Sequence, residues 1–502
     1  MNQKLFFLAV VLFSSQTYAD YRDDIGYRKL QAESGIAMPD GSEVRVTQVE
    51  AAVRVIGNNT GAWMLGVSAF QFSGKNIIDR STPLSTGISS HATGVGNLFF
   101  GNTLSMAPGI VDIEVYSALN WLMSGFLKTG SSAQPLVSSN RIANHSWVGA
   151  IGTNSRSVSL LERVDRLVEQ DEFIQVIAMN NGSVNRPLLG GAFNSIAVGR
   201  TDSRHAQGSI LLGPIYTAGR ARPDVVVPVG TTSSATPVVS ASAAMLIEQA
   251  HTAAKGLTAV ISNGDIIYNG ERSEVVKAVI MAGADRVTKN TATIAQIIDY
   301  RAAPRHHTDN GLDSRYGAGQ LNVNSNFKIM AAGEQNSLQD GGATRVGFMG
   351  FDYDASFGGT KVSNNKATYS FNTTQKGNLQ LTASLVWNID IIDIDNGASF
   401  RADAVLYDLD LFLYDVTGGI ESLLASSTSK IDNTENLWYF LEQGRDYQLQ
   451  VLAGSGSSFN WDYGLAWKIS AVPVPATVWL FSSGILVLLA LSSIRKQQGR
   501  IF

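Results

Sequence analysis

Apolar and polar residues alternate in two different ways along the chain, and the change falls near residue 333. Before it, short runs rich in valine and isoleucine alternate with stretches of helical spacing. This alternation predicts an α/β fold with a mostly parallel sheet flanked by helices. The predicted strands are 44–50, 111–115, 141–146, 173–179, 195–198 and 224–227, and the predicted helices are 118–127, 159–168, 235–254, 272–282 and 322–332.

The second pattern consists of short strands separated by turns rich in Gly, Asn and Asp. Six such strands predict an antiparallel β-sandwich at 366–470. The strands are predicted at 368–372, 379–387, 404–414, 437–441, 447–452 and 463–469. We therefore expect a polar lead-in at 20–41, an α/β domain at 42–332, a linker at 333–365 and the sandwich domain at 366–470.

Both ends of the chain have the pattern of targeting segments. Residues 1–19 combine Lys4, an apolar run and a small-residue cleavage site ending at Ala19, which predicts a secretory signal peptide. Residues 476–494 are long and apolar enough for one bilayer span, and basic residues follow them. We expect an exported protein that contacts the membrane through a C-terminal helix within 472–502.

Composition excludes several classes of function. The 502 residues carry a net charge of −4 and only 16% charged residues, so no basic face for nucleic acid is expected. The absence of cysteine excludes disulfides, thiolate zinc sites and a cysteine nucleophile. The segment Asp393–Gly397 is dense in acidic residues but lacks the spacing of a calcium loop, so we favour a solvated hairpin and expect no cofactor.

The strongest candidate for chemistry is Gly230-Thr-Thr-Ser-Ser-Ala-Thr-Pro237, which leads into a helix of small residues. Free backbone N–H groups and the positive end of the helix dipole would face a substrate attacked by Ser233. A plain helix N-cap made of Ser and Thr is the alternative. A serine nucleophile also needs a general base, and His91, in a turn of small residues, is the best placed of six histidines.

These segments resemble the motifs of subtilisin-like serine proteases. His91-Ala-Thr-x-Val is similar to the family's His-Gly-Thr-His-Val, and 231–237 is similar to Gly-Thr-Ser-x-Ala-x-Pro. Arg222-Pro-Asp-Val-Val-Val-Pro228 resembles the segment that precedes the nucleophile. The resemblance covers about 42–332 and implies an exported serine endopeptidase acting on polypeptides.

The resemblance also implies a role for each matching residue. Ser233 would be the nucleophile, His91 the general base and Asn180, at the end of a predicted strand, the oxyanion donor. The residues that would hold the substrate backbone by strand addition are Ser146, Trp147, Val148 and Gly149.

The chain departs from the family pattern at several positions, two of which are Met179 before Asn180 and Gly94 in place of the motif's second His. Glu50 stands at the strand end where the family has the triad Asp, and Thr231 replaces the first Gly of the nucleophile motif. Asp79 is the alternative partner for His91. A catalytically silent fold used for surface binding is therefore the second hypothesis. An α/β-hydrolase is disfavoured because the chain contains no Gly-x-Ser-x-Gly.

The C-terminal segment resembles a bacterial sorting tail. Val472-Pro-Val-Pro-Ala476 and the following Val478-Trp-Leu-Phe are similar to PEP-CTERM tails, with Val474 where the name-giving motif has Glu. This resemblance implies recognition by an exosortase-type enzyme in the inner membrane of a Gram-negative bacterium, and then release to the cell surface or medium. A permanent membrane anchor is the alternative.

Overall fold

The computed structural model describes residues 20–471, except 36–37, 56–57, 187, 293, 299, 302, 359–364, 375–377, 396 and 455–458. The predicted signal peptide at 1–19 and the predicted helix within 472–502 lie outside the described residues. Within the described ranges, no helix combines the length and the apolar character needed to cross a membrane.

A seven-stranded parallel sheet forms the centre of the first part of the chain. Its strands are β1 Val46–Glu50, β4 Asn76–Asp79, β5 Asp112–Ser117, β6 Ile142–His145, β7 Ile174–Ala178, β8 Ile196–Arg200 and β9 Val225–Val227, in the order β4-β5-β1-β6-β7-β8-β9. The central strands are buried along their whole length, as is typical of a parallel sheet covered on both faces. Two small hairpins accompany the sheet, namely β2 Val53–Val55 with β3 Asn58–Ala62, and β10 Thr258–Val260 with β11 Ile266–Tyr268.

Helices precede, separate and follow these strands along the chain. They are α1 Tyr21–Asp24, α2 Tyr27–Ser34, α3 Ser90–Phe99, α4 Ala118–Asn120, α5 Asn154–Asp171, α6 Thr232–Thr252, α7 Ser273–Gly283 and α8 Val323–Ala332. The buried face of α6 consists largely of Ala, Ser and Val, which lets the helix lie close to β6, β7 and β8. Several elements differ from the predicted strands and helices, which included neither β4 nor α3. The lead-in carries α1 and α2, and the stretch predicted as a helix at 118–127 forms α4 followed by a π-helical turn at Trp121–Gly125.

The second part of the chain is an antiparallel sandwich. Its strands are β12 Met349–Gly358, β13 Lys366–Asn372, β14 Leu379–Val386, β17 Leu409–Asp415, β18 Ser422–Ser427, β19 Thr434–Leu441, β20 Asp446–Ala453 and β21 Asn460–Ala471. They form two four-stranded sheets, β12-β21-β14-β19 and β13-β20-β17-β18. Their buried side chains, including Tyr369, Leu381, Leu411, Val451 and Trp467, form one core. A separate hairpin joins β15 Asp390–Asp393 to β16 Ala402–Val405.

The sandwich has more strands than the sequence pattern predicted. The predicted strand at 404–414 is divided between β16 and β17, because the Tyr407 carbonyl accepts a bond from the Trp387 indole (3.0 Å) instead of a strand partner. Strand β12 lies inside the predicted linker. Its acidic residues hid the strand pattern, yet Asp352 is buried and accepts a hydrogen bond from the Tyr369 hydroxyl (2.7 Å).

The two parts of the molecule meet along α7. This helix packs on β14 and β21, and the Thr382 hydroxyl donates to the Ala282 carbonyl oxygen at 2.6 Å. Phe351, Val386 and Ala466 from the sandwich belong to the same hydrophobic core as the parallel sheet. The sandwich is therefore joined to the α/β region by a buried interface.

Candidate active site

Three neighbouring strands bring the predicted site residues to one edge of the parallel sheet. Glu50 ends β1, Ser146 follows β6, and Asn180 follows β7 by two residues. The three strands are adjacent and parallel, so their carboxyl ends lie together. Strands β5 and β4 extend the sheet on one side of β1, and β6 to β9 extend it on the other. Such a reversal of strand order opens the crevice in which α/β sheets bind ligands.

His91 is bound to Glu50 at this edge. The ring lies in the first turn of α3, and its Nδ1 is 2.8 Å from the Glu50 Oε2 atom. The Glu50 side chain is fully buried, and its other oxygen accepts a hydrogen bond from the Gln48 side chain (2.7 Å). The His91 side chain is 43% exposed, in contrast to the buried Glu50.

The contact between the two residues changes their titration. The hydrogen bond to Glu50 raises the pKa of His91, and partial burial opposes this effect. Burial raises the pKa of Glu50, while the bonds from His91 and Gln48 oppose that increase. When Nδ1–H donates to the carboxylate, the neutral ring keeps Nε2 as its acceptor, which is the atom a general base uses.

Asp79, the alternative partner for His91, has other contacts. It ends β4, which is separated from β1 by β5. Its carboxylate accepts hydrogen bonds from the Trp63 indole (3.2 Å) and from the backbone N–H groups of Ser81 (3.0 Å) and Ser85 (2.7 Å). No hydrogen bond between Asp79 and His91 is present in the part of the chain that the structure describes.

Ser233 lies in the first turn of α6, and the N-cap of that helix is Thr231. The Thr231 hydroxyl accepts a hydrogen bond from the Ser234 N–H at 3.1 Å, and its backbone is extended. Because Thr231 fills the capping role, the Ser233 hydroxyl is not needed as a cap. The Ser233 backbone N–H has no acceptor among the described residues, so it is free to bind an anionic oxygen.

Ser146 and Ser233 are joined by a reciprocal contact. The Ser233 hydroxyl donates to the Ser146 carbonyl oxygen (3.1 Å), and the Ser146 hydroxyl donates to the Ser233 carbonyl oxygen (3.0 Å). Pro237 explains the second bond, because it lacks the N–H that would otherwise bond to the Ser233 carbonyl within the helix. In a helix that begins at Ala235, as the sequence predicts, Pro237 would lie in the first turn. It lies in the second turn, because α6 begins at Thr232.

Asn180 lies beside this turn together with a residue that the motifs did not predict. The Asn180 side-chain amide donates to the Val184 carbonyl oxygen at 2.8 Å. The neighbouring Asn181 accepts the backbone N–H of Thr232 at 2.9 Å and so links the end of β7 to the start of α6. The only sequence feature that could have pointed to Asn181 is that it is a second asparagine after a buried strand.

The segment predicted to hold a substrate backbone is partly used by the protein itself. Ser146 and Trp147 are buried, and the Gly149 N–H and carbonyl each bond to Leu188 at 3.2 Å. The backbone N–H and carbonyl groups of Val148 have no partner in the described ranges. Val148 is thus the position at which the backbone could pair with an extended peptide.

A second pair of histidine and carboxylate lies far from this edge. His251 Nδ1 is 3.0 Å from the Glu271 carboxylate. His251 is near the end of α6, about 27 Å from Ser233 at about 1.5 Å per helical residue. Among the described histidines, only His91 joins a buried carboxylate at the edge where Ser233 lies.

The described residues include no group of acidic residues and histidines suited to hold a metal ion. In the hairpin segment Asp393–Gly397, the Asp393 carboxylate accepts the backbone N–H groups of Asp395 (3.2 Å) and Gly397 (2.9 Å). The acidic side chain therefore stabilises its own turn.

Comparison with known proteins gives only distant likenesses. No family model matches the sequence, and no curated protein matches it. Among solved structures, the prenylagaramide maturation protease PagA is 16% identical with a TM-score of 0.37, and the match covers 60% of this chain and 98% of that one. A protease from Pseudoalteromonas arctica is 14% identical with a TM-score of 0.36, over 63% of this chain and 100% of that one.

The pre-peptidase C-terminal domain of a collagenase from Bacillus anthracis is also similar. It is 14% identical with a TM-score of 0.17, and the match covers 25% of this chain and 92% of that domain. All three TM-scores are below 0.5, so these likenesses carry no inference about function.

Proposed function

We propose that the chain is a serine endopeptidase of the subtilisin-like type, with Ser233 as nucleophile, His91 as general base and Glu50 as the residue that orients it. The observation that carries the proposal is the 2.8 Å contact between His91 Nδ1 and the buried Glu50 carboxylate. It lies at the sheet edge where Ser146 contacts Ser233, whose backbone N–H has no acceptor among the described residues.

In the proposed reaction, His91 first takes a proton from Ser233 and then gives a proton to the leaving amine. Ser233 Oγ attacks a peptide carbonyl carbon while His91 Nε2 takes its proton, and the carbonyl oxygen becomes an anion. The Ser233 N–H and the Asn180 amide donate to this oxygen, each such donor contributing about 3 to 4 kcal/mol in the transition state. His91 then returns the proton to the leaving amine, and water hydrolyses the Ser233 ester by the same path.

A second candidate is a catalytically silent fold that binds other surfaces. It is favoured by two contacts, since Ser233 Oγ donates to the Ser146 carbonyl and the Asn180 amide donates to the Val184 carbonyl. Catalysis requires both side chains to rotate towards the substrate. In the silent alternative these contacts persist when a peptide is present.

Fluorophosphonate labelling separates the two candidates. We expect the folded protein to be labelled, Ser233→Ala to lose the label, and Ser234→Ala, a change at the next residue, to keep it. Casein hydrolysis should be lost in His91→Ala, because the variant lacks the general base that activates Ser233. Folded wild-type protein that neither takes the label nor cleaves casein would exclude the peptidase and leave the silent fold.

We propose further that the protein is exported and that an exosortase-type enzyme processes its tail. The support is the sequence pattern of 1–19 and of 472–502. Intact mass measurement of protein recovered from a producing Gram-negative cell is expected to show a chain that starts at Asp20 and lacks the apolar segment 476–494. A membrane-bound chain that still ends at Phe502 would indicate a permanent anchor instead.

A further inference from the structure

A cavity of about 850 Å³ lies where the sandwich meets the α/β region. One wall is the outward face of the sheet β12-β21-β14-β19, and the other is the segment 284–289 after α7 together with the start of α8. None of its lining residues belongs to the Ser233 site. Its volume is in the range typical of sites for small organic ligands.

The sheet wall presents two rows of side chains that cross neighbouring strands. In one row Trp438 is opposite Thr382, which is opposite Lys468; in the next, Phe440, Gln380 and Ser470 are aligned in the same way. Side chains alternate along a strand, so both rows face the cavity side of the sheet. The wall therefore combines two aromatic rings with an ammonium group.

Several buried donors at this cavity have no acceptor in the described part of the chain. They are the Gln380 side-chain amide, the Trp438 indole N–H, and the Nε and Nη2 groups of Arg286. The Arg286 residue is only 4% exposed, and its guanidinium carbon lies 4.6 Å from the centre of the Tyr300 ring. Buried donors without acceptors are rare in proteins, and a charged one calls for an anionic partner.

The charge of the lining is mainly positive. Three of its basic residues, Arg286, Lys289 and Lys468, form no ion pair among the described residues, whereas Lys328 pairs with Glu33 at 2.7 Å outside the cavity. Among the described lining residues, the only acidic one is Asp285, whose carboxylate accepts a hydrogen bond from the Asn322 amide at 2.8 Å. An acceptor of negative charge would complement this lining.

We propose that this cavity binds an organic carboxylate attached to an apolar body. The carboxylate accepts hydrogen bonds from Arg286 and Gln380 and lies within the field of Lys468 and Lys289. The apolar body packs on Trp438 and Phe440, of which Phe440 is 56% exposed and free to contact a ligand. The inference does not depend on the proposed peptidase activity, since no residue is shared.

Calorimetric titration of the full chain with N-acetylphenylalanine tests the proposal, and the matching amide, N-acetylphenylalaninamide, is the neutral control. We expect the carboxylate to bind with a Kd of about 1 mM or lower and the amide to bind at least about tenfold more weakly. Phe440→Ser should weaken the binding of the carboxylate about tenfold. Leu423→Ser, at an exposed leucine of β18 outside the cavity, should have no effect.

Charge is tested separately with Lys289→Ala and Lys468→Gln. Removal of the Lys289 charge should weaken binding of the carboxylate and leave binding of the amide unchanged. Because Lys289 is exposed, this variant should fold even if the Lys468 variant does not. A pentapeptide ending in the same phenylalanine carboxylate distinguishes the source. Tighter binding of the pentapeptide indicates a peptide chain end, and its exclusion indicates a free acid. Equal binding of acid and amide, or no heat from either at several millimolar, would overturn the proposal.

Discussion

The carboxylate of Glu50 orients the His91 ring through a hydrogen bond of 2.8 Å and raises the pKa of the ring. The longer side chain of Glu, compared with Asp, is held in place because Gln48 donates to its second oxygen at 2.7 Å. Both residues are on the same face of β1, two positions apart, which is the one sequence signal for the contact.

Glu50→Gln tests the role of this charge. A general base must be unprotonated, so the activity of the proposed peptidase falls as the pH drops below the pKa of His91, which lies above the ordinary value of about 6.5. The substitution removes the charged acceptor, so the acid limb of the pH–rate profile should move to lower pH. The plateau of kcat/KM should fall by about 10⁴-fold.

Asp79→Asn is the matched control for the same measurement. In the wild-type protein the Asp79 carboxylate accepts hydrogen bonds from Trp63, Ser81 and Ser85. The variant should therefore be less stable, and the acid limb of its pH–rate profile should not shift. An acid limb that moves in Asp79→Asn and not in Glu50→Gln would assign the role to Asp79.

At the scale of elements, α6 is the helix that the site is built on. Thr231 caps it, Asn181 accepts its first N–H, and Pro237 leaves the Ser233 carbonyl free for Ser146. The last two contacts tie the helix start to the ends of β7 and β6. The geometry of the nucleophile turn therefore depends on Thr231, although the resembling motif has Gly at this position.

Thr231→Ala should lower the free energy of unfolding by about 1 kcal/mol, because the Ser234 N–H loses its side-chain acceptor and keeps only the Thr231 carbonyl oxygen at 3.2 Å. Thermal unfolding measures this change. Thr231→Ser keeps the hydroxyl and is expected to retain nearly the wild-type stability. Equal losses in both variants would show that the methyl group, and not the cap, contributes the stability.

At the scale of the whole molecule, the sandwich and the parallel sheet share a core across α7. Phe351, Val386 and Ala466 enter the core of the α/β region, and Thr382 bonds to the end of α7. Separating the two parts would expose these side chains to water. The interface is thus expected to couple their unfolding.

Phe351→Ala should cost about 3 to 5 kcal/mol, because it leaves a cavity at this interface. Calorimetry is expected to show a single transition that moves to lower temperature as a whole. Leu423→Ala, at a side chain that is 53% exposed, should change the stability by less than about 0.5 kcal/mol. Two transitions, only one of which moves, would mean that the parts unfold independently.

The sequence by itself determined the alternation of strands and helices and the antiparallel sandwich after residue 366, and it singled out Glu50, His91, Asn180 and Ser233 as candidates. These features follow from local periodicity and short motifs, which act over a few residues. The predicted roles of the four residues await the experiments above.

Only the tertiary structure decided which distant groups meet. The bonds from Ser146 to Ser233, from Thr232 to Asn181 and between Gly149 and Leu188 join strand ends, loops and a helix start. The strand β12 and the cavity beside Arg286 likewise depend on partners more than 100 residues away, such as β21. Local sequence patterns do not predict such contacts, because burial and long-range pairing exist only once the chain has folded.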